Sequence, residues 1–204
     1  MSLLASYLQG AALGLLLAVQ VGPISLLCVR QALGHGFGAG LAVGLGATLA
    51  DFLYASVAAL GLGGLGNALT AWTGWLQGAG GVLLMLYGYR GWRTRHRPTA
   101  AASLRAGRRA FVASLMLTLT NPLTSLFFAS VLASLGVAGQ GPVAGLAVAS
   151  GLATTTLLWM ALLALLADRV GRWLSPARLV AVNGAASLLL GVLGAGLCIR
   201  AGTA

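Results

Sequence analysis

The sequence predicts an all-α integral membrane protein with six transmembrane helices arranged as two inverted three-helix repeats. Three observations carry that expectation. Of 204 residues, 59% are hydrophobic and only 7% charged, so most surfaces this chain can present would be poorly solvated by water. Six apolar stretches are long enough to cross a bilayer, whose core takes about 20 helical residues at about 1.5 Å each. Short matching strings also recur, in the same order, in the two halves of the chain.

The six stretches run approximately from Leu3 to Val29, Phe37 to Leu60, Trp72 to Tyr89, Ala110 to Leu135, Val143 to Ala167 and Leu179 to Ile199. Lipid offers backbone groups no hydrogen-bond partner, so segments of this length and composition are expected to be helices rather than strands. The first stretch has no basic run before it and continues into further spans, which argues against a cleaved signal peptide. The expected organisation is a first repeat over 1–93, a basic loop over 94–109 and a second repeat over 110–204.

Orientation follows from the arginines. The charged residues are twelve Arg and two Asp, for a net charge of +10. Arg30 falls in the first expected connection, seven arginines from Arg90 to Arg109 crowd the third, and Arg169, Arg172 and Arg178 mark the fifth. The second and fourth connections carry no charge. By the positive-inside rule the arginine side is cytoplasmic and both termini lie outside. This rule accounts for the basic loop without a nucleic-acid partner, and no aromatic residues are interleaved there for base stacking. Trp72 and Trp92, about 30 Å apart along a helix, read as the two interfacial belts of the third span.

The repeat is carried by three matches. "VGPISLL" in the first span corresponds to "TNPLTSLFF" in the fourth, pairing Pro23 with Pro122. "GLAV" recurs at Gly40 and Gly145, and "QGAGGVLLMLYG" from Gln77 aligns with "NGAASLLLGVLG" from Asn183. Three crossings per copy turn the second upside down, and inverted pairs place a binding site near mid-membrane. Helix breaks at Gly22 and Pro23, and at Pro122, would free backbone groups that only a polar cavity can satisfy. Gln20 and Ser25, and Thr120, Asn121, Thr124 and Ser125, are the expected companions.

Asp51 is the one acidic side chain well inside a span. Its insertion near the bilayer centre costs about 2.5–3.5 kcal/mol, which implies a task. Gly40, Gly44, Ala47, Thr48 and Ala55 share its helical face, whereas Leu45, Leu49 and Phe52 lie on a bulkier side, so Asp51 is expected to point into the bundle. Tyr54 shares that face, and Thr156 is the matching position in the second half. With no Lys, Arg or His inside a span to pair with it, Asp51 is expected to bind a proton or a substrate ammonium. Hydrogen bonds from Thr48 and Tyr54, for packing alone, are the bland alternative. Cys28 and Cys198 are expected at opposite ends of their spans, too far apart for a disulfide. His35 and His96 read as interfacial or solvated, and Asp168 beside Arg169 as a surface pair in a loop.

These residues resemble the lysine exporter (LysE/RhtB) family of bacterial amino-acid exporters over nearly the whole chain. The specific parts are the Gly22-Pro23 break, "GLAVGLGATLAD" from Gly40 to Asp51 and "NPLTSLFF" from Asn121 to Phe128. Many relatives read Pro-Gly-Pro where this chain has Val21-Gly22-Pro23, and Asn-Pro-Lys where it has Leu123 in place of the lysine. The resemblance implies secondary-active export of amino acids or related small molecules from the cytoplasm across the inner membrane. The implied partners are the substrate, a coupling ion (H⁺ or Na⁺) and membrane lipid, with no cofactor; a homo-oligomer is compatible. The residues expected at the substrate and ion site are Gln20, Gly22, Pro23, Ser25, Asp51, Tyr54, Asn121, Pro122 and Thr156. A divalent-cation efflux carrier of related architecture is the alternative, but it would need more oxygen or imidazole ligands than Asp51 provides. An enzyme is disfavoured, because no acid/base pair or nucleophile with its base is present.

Overall fold

The computed structural model describes residues 2–19, 22–59, 73–94, 104–121, 124, 127–128 and 141–203. The described residues form seven α-helices and no strand: α1 (Leu3–Ala18), α2 (Pro23–His35), α3 (Phe37–Ala59), α4 (Thr73–Thr94), α5 (Leu104–Leu119), α6 (Pro142–Trp173) and α7 (Pro176–Thr203). Three of them are long and apolar enough to cross a membrane, or four spans if α1 and α2 form one bent crossing. The described residues are thus all-helical, and the chain is a multi-pass membrane protein. Exposed leucines such as Leu158, Leu162, Leu165 and Leu166 on α6 suit contact with acyl chains; in water such a surface would be an aggregation liability.

The first expected span is two helices. α1 ends at Ala18, α2 begins at Pro23, and the two are bent by 77°. Gly22 takes the N-cap position in extended backbone (φ −119°, ψ −174°), and Pro23 opens the helix. At a first helical position the missing proline N–H would have had no intrahelical partner, so the break costs far less than an interior proline. α2 then runs past Val29 to His35, which places Arg30 inside a helix rather than in a connection. The half-buried Arg30 donates from its guanidinium to the Tyr87 carbonyl oxygen of α4 at 3.1 Å. The whole connection to α3 is Gly36. Its φ of +84° suits only glycine, and its N–H donates to the Ala32 carbonyl at 2.9 Å.

Other boundaries move outward. α6 continues to Trp173, so Asp168 is helical, and it pairs not with Arg169 but with Arg172, one turn on, at 2.6 Å. Adjacent helical residues face different directions, whereas i and i+4 share a face. Arg90 and Arg93 lie on the last turns of α4, and Arg105, Arg108 and Arg109 on the first turns of α5. Trp72 and His96 fall outside the described residues; Trp75 and Trp92, at the two ends of α4, are exposed.

Helix pairing is set by small residues. α1 lies on α6, α3 on both α6 and α5, and α4 on α7, while α2 touches α3, α6, α7 and α5. At Gly151 of α6 a β-carbon would collide with the Tyr7 carbonyl and Ala11 amide of α1. At Gly46 of α3 it would collide with the Phe111 carbonyl and Leu115 amide of α5. On α4 and α7 the contact is reciprocal. A β-carbon at Gly88 would lie 2.6 Å from the Ser187 carbonyl oxygen and 2.7 Å from the Gly191 nitrogen. At Gly194 it would lie 2.6 Å from the Gly81 carbonyl oxygen and 2.8 Å from the Met85 nitrogen. Backbones meeting this closely gain dispersion contacts that lipid cannot outcompete.

One apolar cluster gathers Leu27, Val43, Leu84, Met160 and Leu190. A second gathers Leu13, Tyr54, Phe128, Val148 and Leu152, with the Tyr54 and Phe128 rings stacked at 5.6 Å. Replacing Gly151 by Val is expected to force α1 off α6 and lower the melting temperature of the purified protein, at a cost of about 1–3 kcal/mol or more. Gly196→Ala, where a β-carbon meets nothing within 4 Å, is expected to be neutral or to raise it. Equal melting temperatures for the two variants would show that the close approach does not matter.

Candidate functional site: a cavity at the helix break

Beside the bend between α1 and α2 lies a partly open cavity of about 170 Å³, ample for several waters. One wall is the start of α2, with Gly22, Pro23, Ile24 and Ser25. α3 supplies Ala47 and Asp51, one turn apart, and α6 supplies Thr156 and Met160, also one turn apart. α5 brings Thr118 and the end of its chain Asn121, with Thr124 following; Leu17 and Ala18 close the α1 side. Four segments distant in sequence thus converge on one hollow.

The side chains reach it because each helix presents a small or polar face. On α3, Gly40, Gly44, Ala47, Thr48, Asp51 and Ala55 are all buried, while Leu45 and Leu49 are exposed. On α5, Ala110, Ser114 and Thr118 recur every fourth residue and are buried. Ser114 donates to the Val43 carbonyl at 2.7 Å, tying α5 to α3, and Thr118 donates to the Ser114 carbonyl at 2.9 Å.

Asp51 is 4% exposed, and among the described residues no hydrogen bond reaches its carboxyl group. The hydroxyls expected to satisfy it are placed otherwise. Tyr54 donates to the Leu119 carbonyl oxygen at 2.5 Å, taking up an end carbonyl of α5 that has no partner within its own helix. Thr48 and Thr156 are buried with hydroxyls that have no partner. Among the described residues these three polar groups find no hydrogen-bond partner, and two of them, Asp51 and Thr156, stand on the wall of a cavity that water or a ligand can enter.

Of the nine residues expected at the site, Gly22, Pro23, Ser25, Asp51, Asn121 and Thr156 line the cavity. Tyr54 does not; it braces α3 against α5 beside it. Gln20 and Pro122 lie outside the described residues, as does Ser125. Thr120 turns away, donating to the Met116 carbonyl of its own helix at 2.8 Å and packing against Gly80 of α4. Sequence reasoning missed Thr118 and Met160. Both carried a signal: Thr118 continues the four-residue spacing from Ala110 and Ser114, and Met160 stands one turn beyond Thr156. Cys28 lies behind the cavity wall, its thiol directed at the Gly40 and Met160 carbonyls at 3.5 and 3.6 Å, and both cysteines are free. Among the described residues no three His, Cys, Asp or Glu side chains gather as a metal-holding group.

Apolar helices packed around an interior cavity that is lined in part by polar side chains and holds a buried carboxylate fit the class of membrane transport proteins. The model of the LysE type translocator family matches residues 15–201, and the chain belongs to that family. No curated protein and no solved structure gives a significant match to it.

Tyr54→Phe removes the bond to the Leu119 carbonyl and leaves that oxygen unpaired. It is expected to destabilise the protein by about 1–3 kcal/mol, read as a fall in melting temperature; an unchanged value would mean that the bond contributes nothing.

Proposed function

We propose that the chain is a secondary-active exporter of amino acids or related small molecules, working by alternating access across the bacterial cytoplasmic membrane. In this reading Asp51 binds the substrate ammonium from one side and a proton or another cation from the other, and the competition between them gives exchange. The observation that carries it is the Asp51 carboxyl group, buried on the cavity wall and joined by no hydrogen bond among the described residues. A carboxylate buried among membrane helices costs several kcal/mol when charged, which favours a proton or a cationic guest beside it. The helix N-terminus at Gly22 and Pro23, with its free amides, complements it as a place for a substrate carboxylate. Family membership supports export as the direction of transport.

The architecture we propose is six spans in two inverted repeats, over 1–93 and 110–204, joined by the basic segment 94–109. Bent α1 and α2 make the first span, α4 the third and α5 the start of the fourth. Exposed Trp75 and Trp92 are about 26 Å apart along α4, a separation that suits two membrane interfaces. The close approaches support the repeat. In the "GLAV" register Gly46 corresponds to Gly151, and each abuts a carbonyl and the amide four residues on in the first span of the opposite half. In the Gln77 and Asn183 register Gly88 corresponds to Gly194, and their contacts exchange in the same way: Ser187 and Gly191 for one, Gly81 and Met85 for the other. Asp51 and Thr156 are likewise register partners, and both line the cavity. An exchange of contacts between halves is what a two-fold axis in the membrane plane produces. Both termini are then external and the arginine-rich segment cytoplasmic.

Asp51→Asn, assayed by efflux from cells lacking their own exporters and loaded with an amino acid or dipeptide, is expected to lose proton-driven efflux by at least tenfold. Full efflux that still depends on the proton gradient would overturn the role of Asp51. Thr156→Val replaces an unpartnered buried hydroxyl by an isosteric methyl, so its melting temperature is expected to hold or rise. Its efflux is expected to fall severalfold; unimpaired transport would remove Thr156 from the site.

A further inference from the structure

A second hollow lies far from the first, on the outside of the bundle where α4 and α5 touch only lightly. It is an open groove of about 810 Å³. Its two walls are polarised in the same sense. Arg90 on α4 and Arg108 and Arg109 on α5 stand at one end; Leu83 on α4 and Val112 and Met116 on α5 line the rest. Leu83 is seven residues from Arg90, and Met116 seven from Arg109, so on both helices the apolar wall extends about 10 Å inward from the cations. Tyr87 holds the walls in register, its hydroxyl donating to the Arg109 backbone carbonyl at 3.1 Å.

We infer that this groove is a binding site for an anionic phospholipid, with the phosphate among the arginines and an acyl chain along Leu83, Val112 and Met116. The occupant is specified by complementarity in both charge and direction. Arg108 and Arg109 at one end call for an anion, and guanidinium is the side chain best matched to phosphate oxygens. The chain has only two acidic side chains to compete for them. Asp51 is inside the bundle, and Asp168 is engaged by Arg172. The other end calls for hydrocarbon: Val112 is 45% and Met116 42% exposed. In a bilayer such side chains meet an acyl chain, which a soluble anion does not carry. An amphiphile with its headgroup at the arginine end meets both demands. Basic pockets between transmembrane helices bind acidic headgroups on this principle. The inference rests on the membrane setting of the chain and not on what the carrier exports.

The test uses the full chain, purified in neutral detergent, stripped of lipid and titrated with dioleoyl-phosphatidylglycerol or dioleoyl-phosphatidylcholine, with adducts counted by native mass spectrometry. One phosphatidylglycerol per chain is expected to be retained at least fivefold more strongly than phosphatidylcholine. The double variant Arg108→Gln and Arg109→Gln is expected to bring the two lipids level. Met116→Trp, which keeps every charge but fills the apolar end, is expected to lower phosphatidylglycerol retention at least threefold; Val112→Trp, at an equally exposed position, takes its place if that variant does not fold. Glycerol 3-phosphate at equal concentration is expected not to compete. Equal retention of the two lipids, or unchanged retention in the double arginine variant, would overturn the proposal. So would retention untouched by the tryptophan, which would reduce the effect to general surface charge. Full competition by glycerol 3-phosphate, or a second copy of the chain displacing the lipid, would overturn it as well.

Discussion

A chain that leaves α-helical geometry inside a bilayer must find partners for the backbone groups it frees, because hydrocarbon supplies none. The rest of this structure is arranged around that constraint. The break between Ala18 and Pro23 is tolerable only because Gly22 and Pro23 face a polar hollow, and the hollow exists only because α3, α5 and α6 turn small or hydroxylated faces toward it. Proline at the first position of α2 removes one amide from the problem, and the cavity accommodates the rest. Tyr54 answers the same constraint at the end carbonyl of α5, while Ser114 and Thr118 satisfy their own hydroxyls on carbonyls inside α3 and α5. The constraint also makes Asp51 conspicuous, since among the described residues no hydrogen bond reaches its carboxyl group.

Most of the fold was legible in the sequence, and for identifiable reasons. Helices in lipid advertise themselves by length and apolarity, so four of the six expected stretches match one observed helix along most of their length, and the first matches two. Ends were harder to place. Arg30 reads as a loop residue by charge, yet in α2 its long side chain reaches the Tyr87 carbonyl and so remains helical. Asp168 likewise looked like a boundary, but an arginine one turn away lets α6 continue past it. Charge marks where a span nears water; it does not mark where a helix stops.

The site was legible where a residue's type was anomalous for its surroundings: a carboxylate in an apolar run, a proline in mid-span, an asparagine beside it. It was illegible where the contributing residue was ordinary. Thr118 and Met160 belong among typical membrane-helix residues, and only the facing of four helices makes them cavity wall. Tyr54 shows the converse. Helical spacing sets it near Asp51, but a phenol is long, and its hydroxyl donates to the Leu119 carbonyl across the helix interface. Periodicity fixes the direction in which a side chain leaves its helix; its terminal atom settles with whichever neighbour most needs a donor.

The bent α1–α2 pair divides its contacts. α1 lies on α6, clamped where Gly151 meets Tyr7 and Ala11, whereas α2 is held among α3, α6 and α7 and is tied to α4 through Arg30. α6 touches both arms, whereas α3 and α7 pack on α2 and not comparably on α1, so a shift of α3 or α7 pulls on one arm more than on the other. The elbow between them is the cavity wall itself, so any travel of one arm against the other must reshape the chamber.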